Sequence, residues 1–95
     1  MTKPTKLSSA DVETRLAGLT GWCRQGEAIV KHYTHGSFPE AIAFVTRMAF
    51  GAEAADHHPD ILVSYKRVTL TYSTHSVGGI TEKDFEGAML ADACL

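Results

Sequence analysis

The sequence predicts an α+β fold in which antiparallel strands carry helices on one face. Two observations predict it. Apolar residues recur every three or four positions behind helix-start signatures at Ser8, Ser37 and Thr81, and runs rich in β-formers fill the stretches 28–33 and 61–75 between them. The predicted order is helix, two strands, long helix, two strands, helix.

Residues 1–7 read as a loose polar leader to one domain spanning 1–95. Ser8, with Asp11 three residues on, can satisfy the orphan backbone donors of a helix start. Val12, Leu16 and Leu19 follow at helical spacing, so a short amphipathic helix is expected over 9–19, ended by Gly21. Trp22 and Cys23 begin a short strand, Gln25 and Gly26 turn the chain, and Ile29, Val30 and Tyr33 mark a second strand antiparallel to the first. His32 and His35 close that strand and read as surface or edge histidines.

Ser37, Pro39 and Glu40 form the strongest helix start: a capping hydroxyl, a proline where its missing N–H costs little, and an acid at the third helical position. Phe38, Ala41, Ile42, Val45, Met48, Ala49 and Ala52 then give a long helix over 38–55 one broad apolar face. Phe44 and Phe50 either widen that face or stand free for a partner subunit. The helix should end near Asp56, because Pro59 disfavours the α region for His58. Beyond it, Ile61, Val63 and Tyr65, then Val68, Leu70 and Tyr72, alternate with their neighbours, as one long strand or as two broken near Lys66. If the pleat runs on, His75 shares the polar face of Thr69, Thr71 and Ser73. Gly78 and Gly79 read as a flexible link. Thr81 and Asp84 form a third capping box, opening a helix over 82–93 with Phe85, Ala88 and Met89 on its apolar side.

Nine Lys and Arg against eleven Asp and Glu leave a formal charge of -2, with no electrostatic footprint for nucleic acid. No apolar run approaches the roughly 18 residues of a membrane span, and the N-terminus lacks the apolar core of a signal peptide. The chain therefore reads as soluble and cytoplasmic. Cys23 and Cys94 fit no redox or metal motif and read as free thiols. A core this small favours self-association, so a homo-oligomer is expected.

The chemistry-bearing residues gather at Glu53, Asp56, His57, His58 and Pro59, with His75 at the far end of the following strand-like run. Histidine gives and takes protons near neutrality. Glu53 and His57, four apart, share a helical face if the helix persists that far. Several readings stay open. The imidazoles can act as acid and base on a substrate that loses water, with Glu53 or Asp56 fixing a tautomer. Glu53, one of the paired histidines and His75 can instead hold a divalent metal, though no known metal signature is present. The group can also be ordinary polar residues near turns, or belong to a protein-interaction module. Asp84, at a helix start, reads more readily as a cap than as a catalyst.

At these residues the sequence resembles the pterin-4a-carbinolamine dehydratase family. The family's pattern of an acid, three positions, His-His-Pro, an aromatic, a Thr-His pair and an Asp is met by Glu53, His57, His58, Pro59, Tyr65, Thr74, His75 and Asp84. Gly78, Gly79 and Thr81 fit it as well, and the likeness spans 8–93. Ser76 stands where many members carry Asp or Asn. The resemblance implies a four-stranded antiparallel sheet, which resolves 61–75 into two strands, and dimers that pair into tetramers. It implies dehydration of 4a-hydroxytetrahydropterin to quinonoid dihydropterin, in recycling of the cofactor of aromatic amino acid hydroxylases, with no metal or organic cofactor. His57 and His75 are then the proton-transfer groups, His58 is a binding group or second base, and Glu53 orients an imidazole. Asp56, Ser73, Thr74 and Ser76 line the pterin, and Trp22 either packs beside the pocket or belongs to the core. Some animal members bind a homeodomain transcription factor, so the alternative is a protein-binding module using a helical face.

Overall fold

The computed structural model describes residues 4–95, so residues 1–3 of the expected leader lie outside the described residues. Along the chain run α1 (Ser9–Leu16), β1 (Cys23–Gln25), β2 (Ala28–Thr34), α2 (Phe38–Ala55), β3 (Asp60–Ser64), β4 (Arg67–Tyr72), a 3-10 turn (His75–Val77) and α3 (Glu82–Ala93). The strands form one antiparallel sheet in the order β1-β2-β4-β3, with the helices packed against it.

Register follows from the alternation in β4. Val68, Leu70 and Tyr72 are fully buried and stand opposite Tyr33, Lys31 and Ile29 of β2. Thr69 and Thr71 point to the other face, where His32 pairs with Thr69 through Nδ1 and Oγ1 at 2.8 Å. The run 61–75 is two strands. Ser64 pairs with Arg67, which leaves only Tyr65 and Lys66 to reverse the chain, and so short a turn requires a left-handed residue. Tyr65 supplies it at φ +55° and sits in the turn, exposed, instead of continuing the strand. The pleat also stops at Tyr72, so His75 opens the 3-10 turn and does not share a strand face with Thr69 and Thr71.

Helix starts fall where the caps put them. The hydroxyls of Ser8 and Ser37 accept from the amides of Asp11 and Glu40. The Glu40 carboxylate reaches past its own cap to the Gly36 amide at 3.0 Å. The first helix stops at Leu16, short of residue 19, and Gly21 lies beyond it at φ +87°, where a Cβ would meet the Lys31 stem at 2.9 Å. The Gly78-Gly79 stretch, expected as a flexible link, is tied down: the Thr74 amide donates to the Gly79 carbonyl and the Gly79 amide to the Thr74 carbonyl. Along residues 4–8, the Leu7 amide donates to the Ile80 carbonyl at 2.9 Å.

The long helix has the expected bounds and a different phase. Ala41, Phe44, Met48 and Ala52 face the core, whereas Phe38, Ile42 and Phe50 are exposed. Phe44 is therefore a core residue, contributing roughly 1.5–3 kcal/mol by burial, and Phe50 alone of the two stands free. In α3, Phe85, Ala88 and Ala91 face inward with Asp84, and Met89 faces out. His35 is half-buried, packed against Tyr33 and Phe44, and is not a surface residue.

A polar junction pins the end of α3 to β2. Asp92 accepts from Trp22 Nε1 at 3.1 Å, Lys31 Nζ at 2.9 Å and the Tyr33 hydroxyl. Burial, then the hydrogen bond to Asp92, raises the pKa of Tyr33 well above the ordinary tyrosine value. Burial also pushes Tyr72 up to about 12, with the Asp84 charge adding to it. Raised values mean that the folded state holds these protons when the unfolded state releases them near pH ~10, so stability is full below that pH and falls above it. Urea midpoints should therefore drop between about pH 10 and about pH 12. Tyr72→Phe, which removes a buried hydroxyl with no hydrogen-bond partner among the described residues, should flatten part of that slope.

Candidate active site

The end of α2 sets the site. Asp56 turns left-handed at φ +52°, its amide bonds back to Glu53 and the His57 amide to Ala52, the paired bonds of a Schellman ending. This breaks the helical period before His57. Glu53, four residues earlier, consequently meets His58 and not His57, with Oε1 to Nε2 at 2.7 Å. That pair is open to solvent, its side chains 81% and 54% exposed.

His57 turns inward instead. Its Nε2 lies 2.6 Å from Asp84 Oδ1, with side-chain exposures of 14% and 0%. The ring stacks on Tyr72 at 5.8 Å and 21°. Tyr72 in turn presses so close to α3 that a Cβ on Gly87 would stand 2.5 Å from its ring. Asp84 serves two elements at once: Oδ2 accepts from the Thr81 amide at 2.9 Å, closing the capping box, and from the Thr74 hydroxyl at 2.8 Å. The carboxylate read mainly as a cap is thus also the partner of His57.

A cleft of about 460 Å³ opens between these elements, within the roughly 300–1,000 Å³ of small-molecule sites. His57, His58 and Pro59 reach it from the end of α2, and Ser73, Thr74, His75 and Ser76 from the exit of β4. Asp56 lines it as well. Two of the short polar groups are committed elsewhere. The Ser73 hydroxyl donates to the Glu27 carbonyl at 2.7 Å, and that of Thr74 to Asp84. Trp22 is not among the lining residues; it lies in the core against Tyr33 and Tyr72. Pro4, Asp60 and Lys83 line the cleft without having been singled out from the sequence. Asp60 and Lys83 each adjoin a site residue, which is the only signal they give; Pro4 gives none.

Among the described residues, no group of three His, Cys, Asp or Glu side chains is arranged to hold a metal ion. Glu53, one of the paired histidines and His75 do not assemble as the ligand set considered above; Glu53 pairs with His58 and Asp84 with His57. No helix among the described residues is long and apolar enough to cross a membrane. Cys23 and Cys94 are free thiols.

The two carboxylates should respond differently to removal. Asp84→Ala strands two buried donors, the Thr74 hydroxyl and the Thr81 amide, at roughly 1–3 kcal/mol each, so a loss of about 2 kcal/mol or more is expected in urea unfolding. Glu53→Ala removes half of an exposed pair and should stay within about 1 kcal/mol of wild type.

Comparison with known proteins gives one answer. The chain matches the family described as pterin 4 alpha carbinolamine dehydratase over residues 5–94. A protein of Roseiflexus sp. (strain RS-1) that carries the pterin-4-alpha-carbinolamine dehydratase name is 54% identical over 88 residues, covering 93% of this chain and 95% of the relative. One of the same name from Chloroflexus aurantiacus is 48% identical over 87 residues, covering 92% and 94%. The crystal structure of a transcriptional coactivator/pterin dehydratase from Brucella melitensis superposes with a TM-score of 0.91 at 34% identity, over 95% of this chain and 98% of that one. A pterin dehydratase-like RuBisCO assembly factor of the alpha-carboxysome superposes with a TM-score of 0.67 at 25% identity, over 78% and 88%. With nearly its whole length matched, the chain belongs to the pterin-4a-carbinolamine dehydratase family.

Proposed function

We propose that this chain removes water from a 4a-hydroxytetrahydropterin to give quinonoid dihydropterin, as a step in pterin cofactor recycling. The observation that carries the reading is a single cleft reached by His57, His58 and His75, with His57 backed by the buried Asp84, in a chain of this family. The substrate bears its hydroxyl on C4a beside N5–H. An acid protonates the hydroxyl, the N5 lone pair forms the C4a–N5 double bond as the C–O bond breaks and water leaves, and a base takes the N5 proton. The atoms balance with no oxidant or reductant.

His57 and His75 are the proton-transfer groups in this reading, and His58, oriented by Glu53, binds substrate or serves as a second base. Asp56, Ser76 and the backbone around Ser73 and Thr74 offer polar groups to the pterin edge, since the hydroxyls of Ser73 and Thr74 already donate elsewhere. The two free thiols suit a reducing cytoplasm.

A homo-oligomer is also proposed, a dimer or tetramer built on the outer face of α2. Phe50 is 76% exposed there and borders an apolar groove of about 590 Å³ with Val45, Ala49 and Ile61. His58 and Pro59 line both this groove and the cleft. The second reading, a protein-binding module, would use the same face for a different protein.

Two measurements test these readings. Quinonoid dihydropterin formation from freshly generated 4a-hydroxytetrahydropterin, followed by ultraviolet absorbance and corrected for spontaneous dehydration, should be accelerated by wild type. The acceleration should fall about tenfold or more in folded His57→Ala and His75→Ala, because general acid/base catalysis is worth roughly 10²–10⁴. No acceleration by well-folded wild type would sink the dehydratase reading. In sedimentation equilibrium, wild type should be a dimer or tetramer and Phe50→Glu should shift it toward monomer; a monomeric wild type shifts the weight of the α2 face to a different partner.

A further inference from the structure

The Thr81 hydroxyl does more than cap α3. Thr81, Thr74 and Asp84 are all buried, and each of their polar groups can be accounted for. A threonine hydroxyl has one proton to give and two lone pairs to accept with. Asp84 Oδ2 accepts from the Thr81 amide at 2.9 Å and from the Thr74 hydroxyl at 2.8 Å. The single Thr74 proton is therefore committed to Asp84. In the 2.7 Å contact between Thr74 Oγ1 and Thr81 Oγ1, Thr74 must then accept and Thr81 donate. Thr81 Oγ1 is itself fed by the Lys83 amide at 3.2 Å. The chain runs one way, from the Lys83 amide through Thr81 and Thr74 to Asp84.

That direction reaches the imidazole. With two donors pointing at Oδ2, Asp84 acts as an acceptor, and its Oδ1 faces His57 Nε2 at 2.6 Å. A proton on Nδ1 instead would set two lone pairs against each other at that distance inside a buried site, where such a clash is poorly screened. The Tyr72 ring stacked on His57 keeps the imidazole from turning away. Nδ1 makes no hydrogen bond among the described residues.

We infer that Thr81 and Thr74 form a directed hydroxyl relay that fixes the proton of His57 on Nε2, leaving Nδ1 as the nitrogen that exchanges protons with substrate, and that Thr81 is a positioning residue of the site. The consequence for turnover rests on the dehydratase reading; the consequence for the His57 tautomer does not.

The test is a long-range ¹H–¹⁵N correlation spectrum of the histidine rings in the full chain, at a pH where His57 is neutral, for wild type, Thr81→Ser and Thr81→Val. Wild type and Thr81→Ser, which keeps the hydroxyl, should show a pyrrole-type Nε2 and a pyridine-type Nδ1 for His57. Thr81→Val, nearly isosteric but without the hydroxyl, should show mixed tautomers, with kcat lowered by up to about 10²-fold and KM little changed. A wild-type His57 carrying its proton on Nδ1 would overturn the relay, and so would a folded Thr81→Val that keeps both the wild-type tautomer and the wild-type kcat. The wild-type spectrum decides even where Thr81→Val does not fold. Because it needs no substrate, a chain without dehydratase activity still confirms or refutes the tautomer.

Discussion

A single buried carboxylate ties the working parts of this protein together. Asp84 closes the capping box of α3 through the Thr81 amide, holds the exit of β4 through the Thr74 hydroxyl and holds His57 through its other oxygen. Burying a charge is costly unless it is paired and hydrogen-bonded, and here both oxygens are occupied. The same contacts that make the burial tolerable fix three elements relative to one another. Site geometry and helix capping are consequently not separable in this fold. The last helix begins where it does because of a group that also orients an imidazole.

The second constraint is the ending of α2. A helix that continued through His57 and His58 would spread the two rings around its surface, with Glu53 above His57. The left-handed Asp56 cuts the period, and Pro59 holds His58 out of the α region. Two adjacent imidazoles then meet different environments. His57 is packed on Tyr72 and paired with a buried acid, and His58 is solvated and paired with an exposed one. Neighbours in sequence thereby stand in distinct environments, one packed and one solvated.

The outer face of α2 follows from how that helix lies on the sheet. More apolar residues than one face can bury are spread around it. The sheet takes Ala41, Phe44, Met48 and Ala52, leaving Phe38, Ile42 and Phe50 outside. The leftover surface adjoins the histidine-lined cleft, because His58 and Pro59 border both. The groove therefore lies next to the solvated imidazole.

Local structure was legible in the sequence to within a residue or two wherever one side chain and its near neighbours decide it. The caps at Ser8, Ser37 and Thr81, the span of α2 and that of α3 all rest on hydrogen bonds and periodicity within a few positions. The turn at Tyr65 was less so, since it depends on the register in which β3 pairs with β4. His57, His58 and His75 were candidates from their pattern, and one cleft brings all three together. Which acid serves which imidazole was not legible there. His57 and Asp84 are 27 residues apart, and only the docking of α3 against α2 and β4 brings them to 2.6 Å. Phe44 inward and Phe50 outward are likewise matters of rotational phase. A shift of one residue around a helix turns a side chain by about 100°, and packing against the sheet, not the local sequence, sets that angle.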